Sequence, residues 1–105
     1  MRAEEIVDRI AREYGFTREE ILAADRHKSV TYARHLAMFF CRLRTGMSFP
    51  ELGGVFERDH STVMSGVRRI ADRLNGADLA RCEKALDPET RFRVVEAQPE
   101  GSPVG

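Results

Sequence analysis

The stretch MSFPELGGVFERDHSTVMSGVRRI, residues 47–70, contains the signals that decide the fold. Ser48 can cap a helix and Glu51 can answer it three residues later, which is the capping-box pattern of a helix start. Pro50 is tolerated in that first turn, where its missing N–H has no intrahelical partner. After a tight connection, apolar residues recur at helical spacing: Val63, Val67, Ile70, Ala71 and Leu74. Two short helices joined by a tight turn predict a helix-turn-helix.

Four further segments of the chain carry helical patterns of their own. Residues 3–14 place apolar side chains on one face, and Gly15 can end that helix. The other three segments are residues 17–24, 30–45 and 77–86. Together with the helix-turn-helix, they predict a compact all-α domain of about six helices over residues 1–90. The polar residues 91–105 are predicted to form a disordered tail.

Composition and length exclude several classes of protein. The chain has 105 residues, 42% of them hydrophobic, which is enough for one modest core. No apolar run approaches the ~20 residues of a membrane span, and acidic residues stand where a signal peptide would be basic. We therefore expect a cytoplasmic protein without a membrane partner. Cys41 and Cys82 have no ligand neighbours at metal-binding spacing, so free thiols are favoured over a disulfide or a metal site, and no cofactor is expected.

The net charge of zero hides an uneven distribution along the chain. Residues 1–24 carry −2, residues 25–74 carry +4 from nine basic and five acidic side chains, and residues 75–105 carry −2. A basic middle between acidic ends favours a polyanionic partner, although an ordinary mixed surface would give the same pattern.

The acid, the imidazole and the two hydroxyls at residues 59–62 allow three interpretations. Asp59, His60 and Ser61 are the residue types of a hydrolase triad, but neighbours on a helix point about 100° apart and cannot pass a proton in line. We therefore do not expect an enzyme. Helix capping explains Asp59, because aspartate is a preferred N-cap residue. Ser61 and Thr62 are ordinary residues in the first turn of a helix. Capping does not explain the imidazole between the acid and the hydroxyls.

DNA binding explains more of these residues. An α-helix fits the major groove, and the first residues of the second helix meet the base edges in helix-turn-helix proteins. A carboxylate accepts from cytosine, an imidazole can donate or accept, and a threonine methyl packs on thymine. Gly66, placed by the pattern on the outward face, would let the helix approach the duplex or would simply be tolerated there.

Basic side chains outside the second helix could bind the DNA backbone. Arg26 and Lys28 lie in the polar break before the long helix, and Arg34, His35 and Arg42 lie on that helix away from its apolar stripe. An arginine beside a helix-turn-helix can enter the minor groove, and basic residues along a helix can bind phosphates. Each of these side chains is also compatible with a solvated surface charge.

The string SVTYARHLAMFFCRLRTGMSFPELGGVFERDHSTVMSGVRRI, residues 29–70, resembles the C-terminal DNA-binding domain, domain IV, of the bacterial replication initiator DnaA. The likeness extends from about Ile6 to Leu74, and RDHSTV is its most specific part. The resemblance implies a TrpR-like helical domain that binds a short box in double-stranded DNA as a monomer.

The resemblance also implies roles for individual residues. Asp59, His60 and Ser61 would read bases in the major groove with Thr62 beside them, and Arg26 would read the minor groove. A larger set is predicted to contact the DNA backbone: Lys28, Arg34, His35, Arg42, Pro50, Arg58 and Arg69.

The chain departs from the family's pattern in its turn and in its extent. The family usually has one more residue before the arginine, often in a Gly-Gly pair, so the shorter FERDH sets Glu57 near the phosphate path. The initiator's ATPase domain is absent, so the sequence is either an excised domain or, as Met1 and the short tail favour, a standalone binder. The competing hypothesis is a protein-interaction module with Phe39, Met47 and Phe49 as contacts. Replication or transposition proteins are the partners then expected, and no small-molecule substrate is expected.

Overall fold

A computed structural model describes residues 1–23 and 27–87 of the chain. Within these two ranges there are six helices, which confirms the predicted all-α class. They are α1 (Ala3–Glu13), α2 (Arg18–Leu22), α3 (Lys28–Thr45), α4 (Phe49–Phe56), α5 (His60–Arg73) and α6 (Gly76–Leu86). The predicted tail and Arg26 lie outside the described residues. No helix in the two ranges combines the length and the apolar character needed to cross a membrane.

The core is built around α3, the longest of the described helices. Buried apolar side chains from all six helices form this core, among them Ile10, Leu36, Phe40, Leu52 and Val63. α3 packs on α1 and on α5, and α4 packs mainly on α5. Burying each such side chain contributes about 1.5–3 kcal/mol relative to leaving it in water. α3 is therefore the element that holds the helix-turn-helix against the amino-terminal helices.

Two capping boxes determine where α2 and α4 begin. The Thr17 hydroxyl accepts from the Glu20 N–H at 3.1 Å, and the Glu20 carboxylate accepts from the Thr17 N–H at 2.8 Å. Ser48 and Glu51 make the same reciprocal pair at 3.2 and 2.8 Å. The box at Ser48 confirms the sequence prediction, and the box at Thr17 likewise depends on residues only three positions apart.

The turn between α4 and α5 brings two stretches of backbone close together. Glu57 ends α4 in the left-handed conformation with φ 56°, which costs a non-glycine residue roughly 1–2 kcal/mol. The Arg58 N–H then donates to the Gly53 carbonyl at 3.0 Å. A Cβ on Gly53 would lie 2.7 Å from the Arg58 carbonyl oxygen. Only glycine therefore fits at position 53 with this short turn.

Gly66 faces α3 and not solvent, which corrects the sequence prediction. It is buried, and a Cβ there would lie 2.8 Å from both the His35 ring and the Met38 sulfur. The helical pattern identified the apolar stripe of α5 but gave no indication that α3 would cover the flank beside it. The small residue lets α5 approach α3, and it does not present a bare surface to a duplex.

A shared carboxylate joins α6 to α1 and α3. The Tyr14 hydroxyl donates to one oxygen of Asp78 at 2.8 Å, and the Tyr32 hydroxyl donates to the other at 2.6 Å. Burial, together with the hydrogen bond to Asp78, raises the pKa of Tyr32 to about 12. The same hydrogen bonds lower the pKa of Asp78, with Tyr32 contributing most. Tyr32 is thereby fixed in position on α3.

Cys41 and Cys82 are buried free thiols, as predicted. Burial raises the pKa of Cys41 to about 12 and that of Cys82 to about 11. Both side chains are therefore protonated at neutral pH and act as small apolar groups in the core.

Candidate nucleic-acid interface

Residues 59–62 begin α5 and are called the recognition tip below. Asp59 is the N-cap, and its carboxylate accepts from the Ser61 backbone N–H at 3.1 Å and from the Ser61 hydroxyl. The hydroxyl contact and the backbone contact lower the pKa of Asp59, so the group is ionised at neutral pH. The His60 side chain is 56% exposed, and Thr62 is exposed beside it. The recognition tip is both a capped helix end and a polar surface open to solvent.

The geometry of the recognition tip differs from that of a catalytic triad. In a triad the imidazole stands between the acid and the hydroxyl. Here Asp59 accepts directly from Ser61, and the His60 Nδ1 lies 4.0 Å from the Asp59 carboxylate, beyond hydrogen-bond distance. The arrangement provides hydrogen-bonding groups for a partner and no path for passing a proton.

A cleft between α3 and α5 brings three residues of the predicted backbone-binding set together. This α3–α5 cleft is lined by the amino-terminal half of α3 and the end of α5: Lys28, Thr31, Tyr32, His35, Arg69, Ile70 and Arg73. Its lining includes three permanent cations and no carboxylate. The first turn of α3 has no acidic residue, and the positive end of that helix dipole favours negative charge on the same side as the cations. The α3–α5 cleft is therefore suited to an anion.

Arg73 is the cation of this cleft that the sequence analysis did not identify. It lies four residues after Arg69, and residues at that spacing share a face of an α-helix. This spacing is the feature of the sequence that could have identified Arg73. It was not sufficient alone, because the sequence does not show that α3 faces the same side of α5.

His35 lies half-buried in the α3–α5 cleft, next to Gly66. Burial lowers its pKa, and the positive charges of Arg69, Arg34 and Arg58 lower it further. At neutral pH the imidazole is therefore neutral, with one nitrogen that can donate and one that can accept.

The structure contradicts the phosphate contact predicted for Arg34. Its side chain is buried, with 5% of its surface exposed. The guanidinium donates to the Ile21 carbonyl at 2.6 Å and to the Ala23 carbonyl at 3.0 Å. Carbonyl groups in the last turn of a helix lack intrahelical partners, and Arg34 supplies one. Its charge therefore stabilises the end of α2 and is not available to DNA.

Arg58 uses most of its donors in the same way. From the turn between α4 and α5, it donates to the carbonyls of Leu22 at 3.1 Å and Ala23 at 2.7 Å. It also donates to the Phe56 carbonyl at 2.8 Å, at the end of α4. Arg58 thus joins α2 to the turn that precedes the recognition tip, and these contacts support a positioning role better than the predicted backbone contact.

The Arg42 side chain extends from α3 to the segment where α4 begins, and Pro50 lies in the first turn of α4. The Arg42 guanidinium donates to the Met47 carbonyl at 2.5 Å and lies 4.5 Å from the centre of the Phe49 ring. Pro50 is exposed in the first turn of α4. Phe39, Met47 and Phe49 are partly buried against the core, so much of the apolar surface expected of a protein-interaction site is used inside the domain.

Comparison with known proteins agrees with the helix-turn-helix seen in the structure. The bacterial DnaA protein helix-turn-helix family matches residues 3–70. Chromosomal replication initiator protein DnaA 1 of Chlamydia muridarum is 40% identical over 73 residues, which are 70% of this chain and 16% of that protein. DnaA of Agrobacterium fabrum is 38% identical over 77 residues, covering 72% of this chain and 16% of that protein. DnaA of Tropheryma whipplei is 38% identical over 68 residues, covering 65% of this chain and 14% of that protein. The chain spans about a sixth of the length of these relatives.

Proposed function

The chain belongs to the bacterial DnaA helix-turn-helix family, and from that premise we propose that it binds double-stranded DNA sequence-specifically. The proposed target is a box of the kind recognised in replication initiation or its regulation. In this proposal the recognition tip enters the major groove, where Asp59, His60, Ser61 and Thr62 meet base edges. Arg26, known here from the sequence alone, reads the adjacent minor groove. The binding itself involves no catalytic step and needs no cofactor.

The observation that carries this proposal is the position of exposed polar and basic groups at the two ends of α5. His60 is exposed at its start, and the α3–α5 cleft lies at its end. The helix has 14 residues and is therefore about 20 Å long. The major groove is only about 12 Å wide, so a helix that enters it by its first turn has its last turns near a phosphate chain. Cations are found at that end.

The backbone contacts of the proposal come from residues around the recognition tip and the α3–α5 cleft: Lys28, His35, Arg42, Pro50 and Arg69. The neutral His35 can donate one N–H to a phosphate oxygen. The first turn of α4 contributes Pro50 and the Phe49 N–H, which makes no hydrogen bond within the described residues and can donate to a nearby phosphate. Arg58 supports the recognition tip from behind, and Arg34 has no DNA contact in this proposal.

The activity of a complete initiator would require more than this length of chain. The matched part of this chain covers only 14–16% of the named replication initiators, so any replication or transposition protein that acts with this domain is part of the proposal. DNA binding by the domain depends on no such partner.

Binding of a His60→Ala variant tests the proposal. A preferred box is first selected from random duplexes with the wild-type chain, and affinities are then measured by fluorescence anisotropy on that box and on a scrambled duplex. We expect the variant to lose about 1–3 kcal/mol on the box, roughly 5- to 150-fold in affinity, and little on the scrambled duplex. Arg12→Ala, on the exposed side of α1, is the control and should bind as the wild type does. A wild-type chain that selects no box, or a variant that keeps full selectivity, contradicts the proposal.

A further inference from the structure

We propose that Arg73 is a further phosphate-binding residue and that the α3–α5 cleft seats the sugar-phosphate backbone of one DNA strand. The inference rests on the proposed function and adds to it a residue outside the family match, which ends at residue 70. It assigns to the end of α5 a role that the likeness to initiators does not supply.

The geometry of the cleft suits an extended anion. Arg69 and Arg73 are one helical turn apart, about 6 Å along the axis, and both line the same side of the cleft. Lys28 lines it from the start of α3. Tyr32 lines the cleft from α3, as Lys28 does, and its hydroxyl donates to Asp78 at 2.6 Å. The donors for a phosphate chain are therefore the three cations, spread along the cleft and not gathered at one point.

The three cations of the cleft have no carboxylate partner within the described residues. Arg9, Arg18, Arg44 and Arg81 each form an ion pair with a carboxylate of another residue. Among the described residues, no such pair includes Lys28, Arg69 or Arg73. Like charges brought together in a concave site raise the local potential, which attracts a polyanion. Asp78, the acid nearest to Tyr32 in the hydrogen-bond network, is occupied by two tyrosine hydroxyls.

The salt dependence of binding by Arg73→Gln tests the inference. Removing one phosphate contact should reduce the slope of log K against log salt by about 0.9. If the rest of the complex is unchanged, affinity should fall roughly eightfold at 0.1 M salt but only about threefold at 0.3 M. Arg73→Lys should keep the wild-type slope. Arg12→Gln removes the same charge from α1, which does not line the cleft, and it should also keep the wild-type slope.

The possible outcomes separate this inference from the proposed function. If the wild type selects a box but Arg73→Gln and Arg12→Gln have equal slopes, only the role of Arg73 is overturned. If Arg73→Gln lowers selectivity for the box and leaves the slope unchanged, Arg73 contacts bases and the inference is also wrong. If the wild type selects no box, the proposed function fails first. Binding of inorganic phosphate at 10 mM in the absence of DNA is the remaining arm: binding that the wild type shows and Arg73→Gln loses, while both bind the box with equal salt slopes, would show a site for free phosphate and overturn the strand assignment.

Discussion

The guanidinium groups of Arg34 and Arg58 converge on the carboxyl end of α2. Arg34 contacts the carbonyls of Ile21 and Ala23, and Arg58 contacts those of Leu22 and Ala23. These carbonyls end a helix of only five residues, which has little stability of its own. Two charged side chains from other elements therefore fix the point at which the chain leaves α2.

At this residue scale, Arg34→Met should destabilise the fold and leave the electrostatics of DNA binding unchanged. The substitution keeps much of the side-chain volume but leaves buried carbonyls without donors, so we expect a loss of about 2 kcal/mol in the free energy of unfolding. Urea denaturation measures this loss, with the exposed Arg12→Met as a control within about 0.5 kcal/mol of the wild type. Wild-type stability combined with a shallower salt slope would instead make Arg34 a phosphate contact.

His35→Gln should change how stability depends on pH. The pKa of His35 in the fold lies below its ordinary value of 6.5, chiefly because of burial. The neutral ring thus contributes stability that is fully present above pH 6.5 and is lost as the pH falls from 6.5 through the lowered folded value. Denaturation at several pH values between 7 and 5 should show a steeper loss for the wild type than for the variant. Parallel curves would mean that His35 titrates as it does in the unfolded chain.

At the scale of elements, the neighbouring glycines of α4 should respond in opposite directions to alanine. In Gly53→Ala the new Cβ would lie 2.7 Å from the Arg58 carbonyl oxygen, so the backbone of the turn must shift. We expect a loss of about 1–3 kcal/mol. Gly54 has nothing within 4 Å of its Cβ position, and alanine there should add up to about 1 kcal/mol through helix propensity. Thermal unfolding of the two variants provides the comparison, and equal shifts would mean that the turn is not tightly packed.

The elements also show which features can be predicted from sequence. The capping boxes at Thr17 and Ser48 were predictable because each depends on residues three positions apart. Gly66 was wrongly placed on the outward face of α5, and Arg34 was predicted to contact a phosphate and not the carbonyls of α2. The sequence does not show which helix lies opposite each of these residues. The same limit applies to the α3–α5 cleft, since its two walls are about 40 residues apart in the chain. Local signals thus predicted the helices and the recognition tip, and packing determined the rest of the site.

At the scale of the whole molecule, a net charge of zero should not prevent salt-sensitive DNA binding. Four acids are paired with arginines, while the cations of the α3–α5 cleft have no carboxylate partner in the part of the chain that the structure describes; the paired acids are Glu5, Asp8, Glu13 and Asp87. If about five phosphates are neutralised, log K should fall with a slope on the order of −4 to −5 against log salt. Titrations at four salt concentrations measure this slope. A slope near zero would mean that the contacts are not with the DNA backbone.

The hydrogen bond between Ser61 and Asp59 also limits which bases can be recognised. The Ser61 hydroxyl uses its only proton in the bond to the carboxylate, so its oxygen can act toward DNA only as an acceptor. The ionised carboxylate of Asp59 has no proton and is also only an acceptor. Asp59 and Ser61 can therefore only accept hydrogen bonds from a nucleobase. In the major groove the only hydrogen-bond donors are the exocyclic amines of adenine and cytosine. The preferred box should therefore present such an amine opposite each of these residues, and thymine or guanine there should be disfavoured.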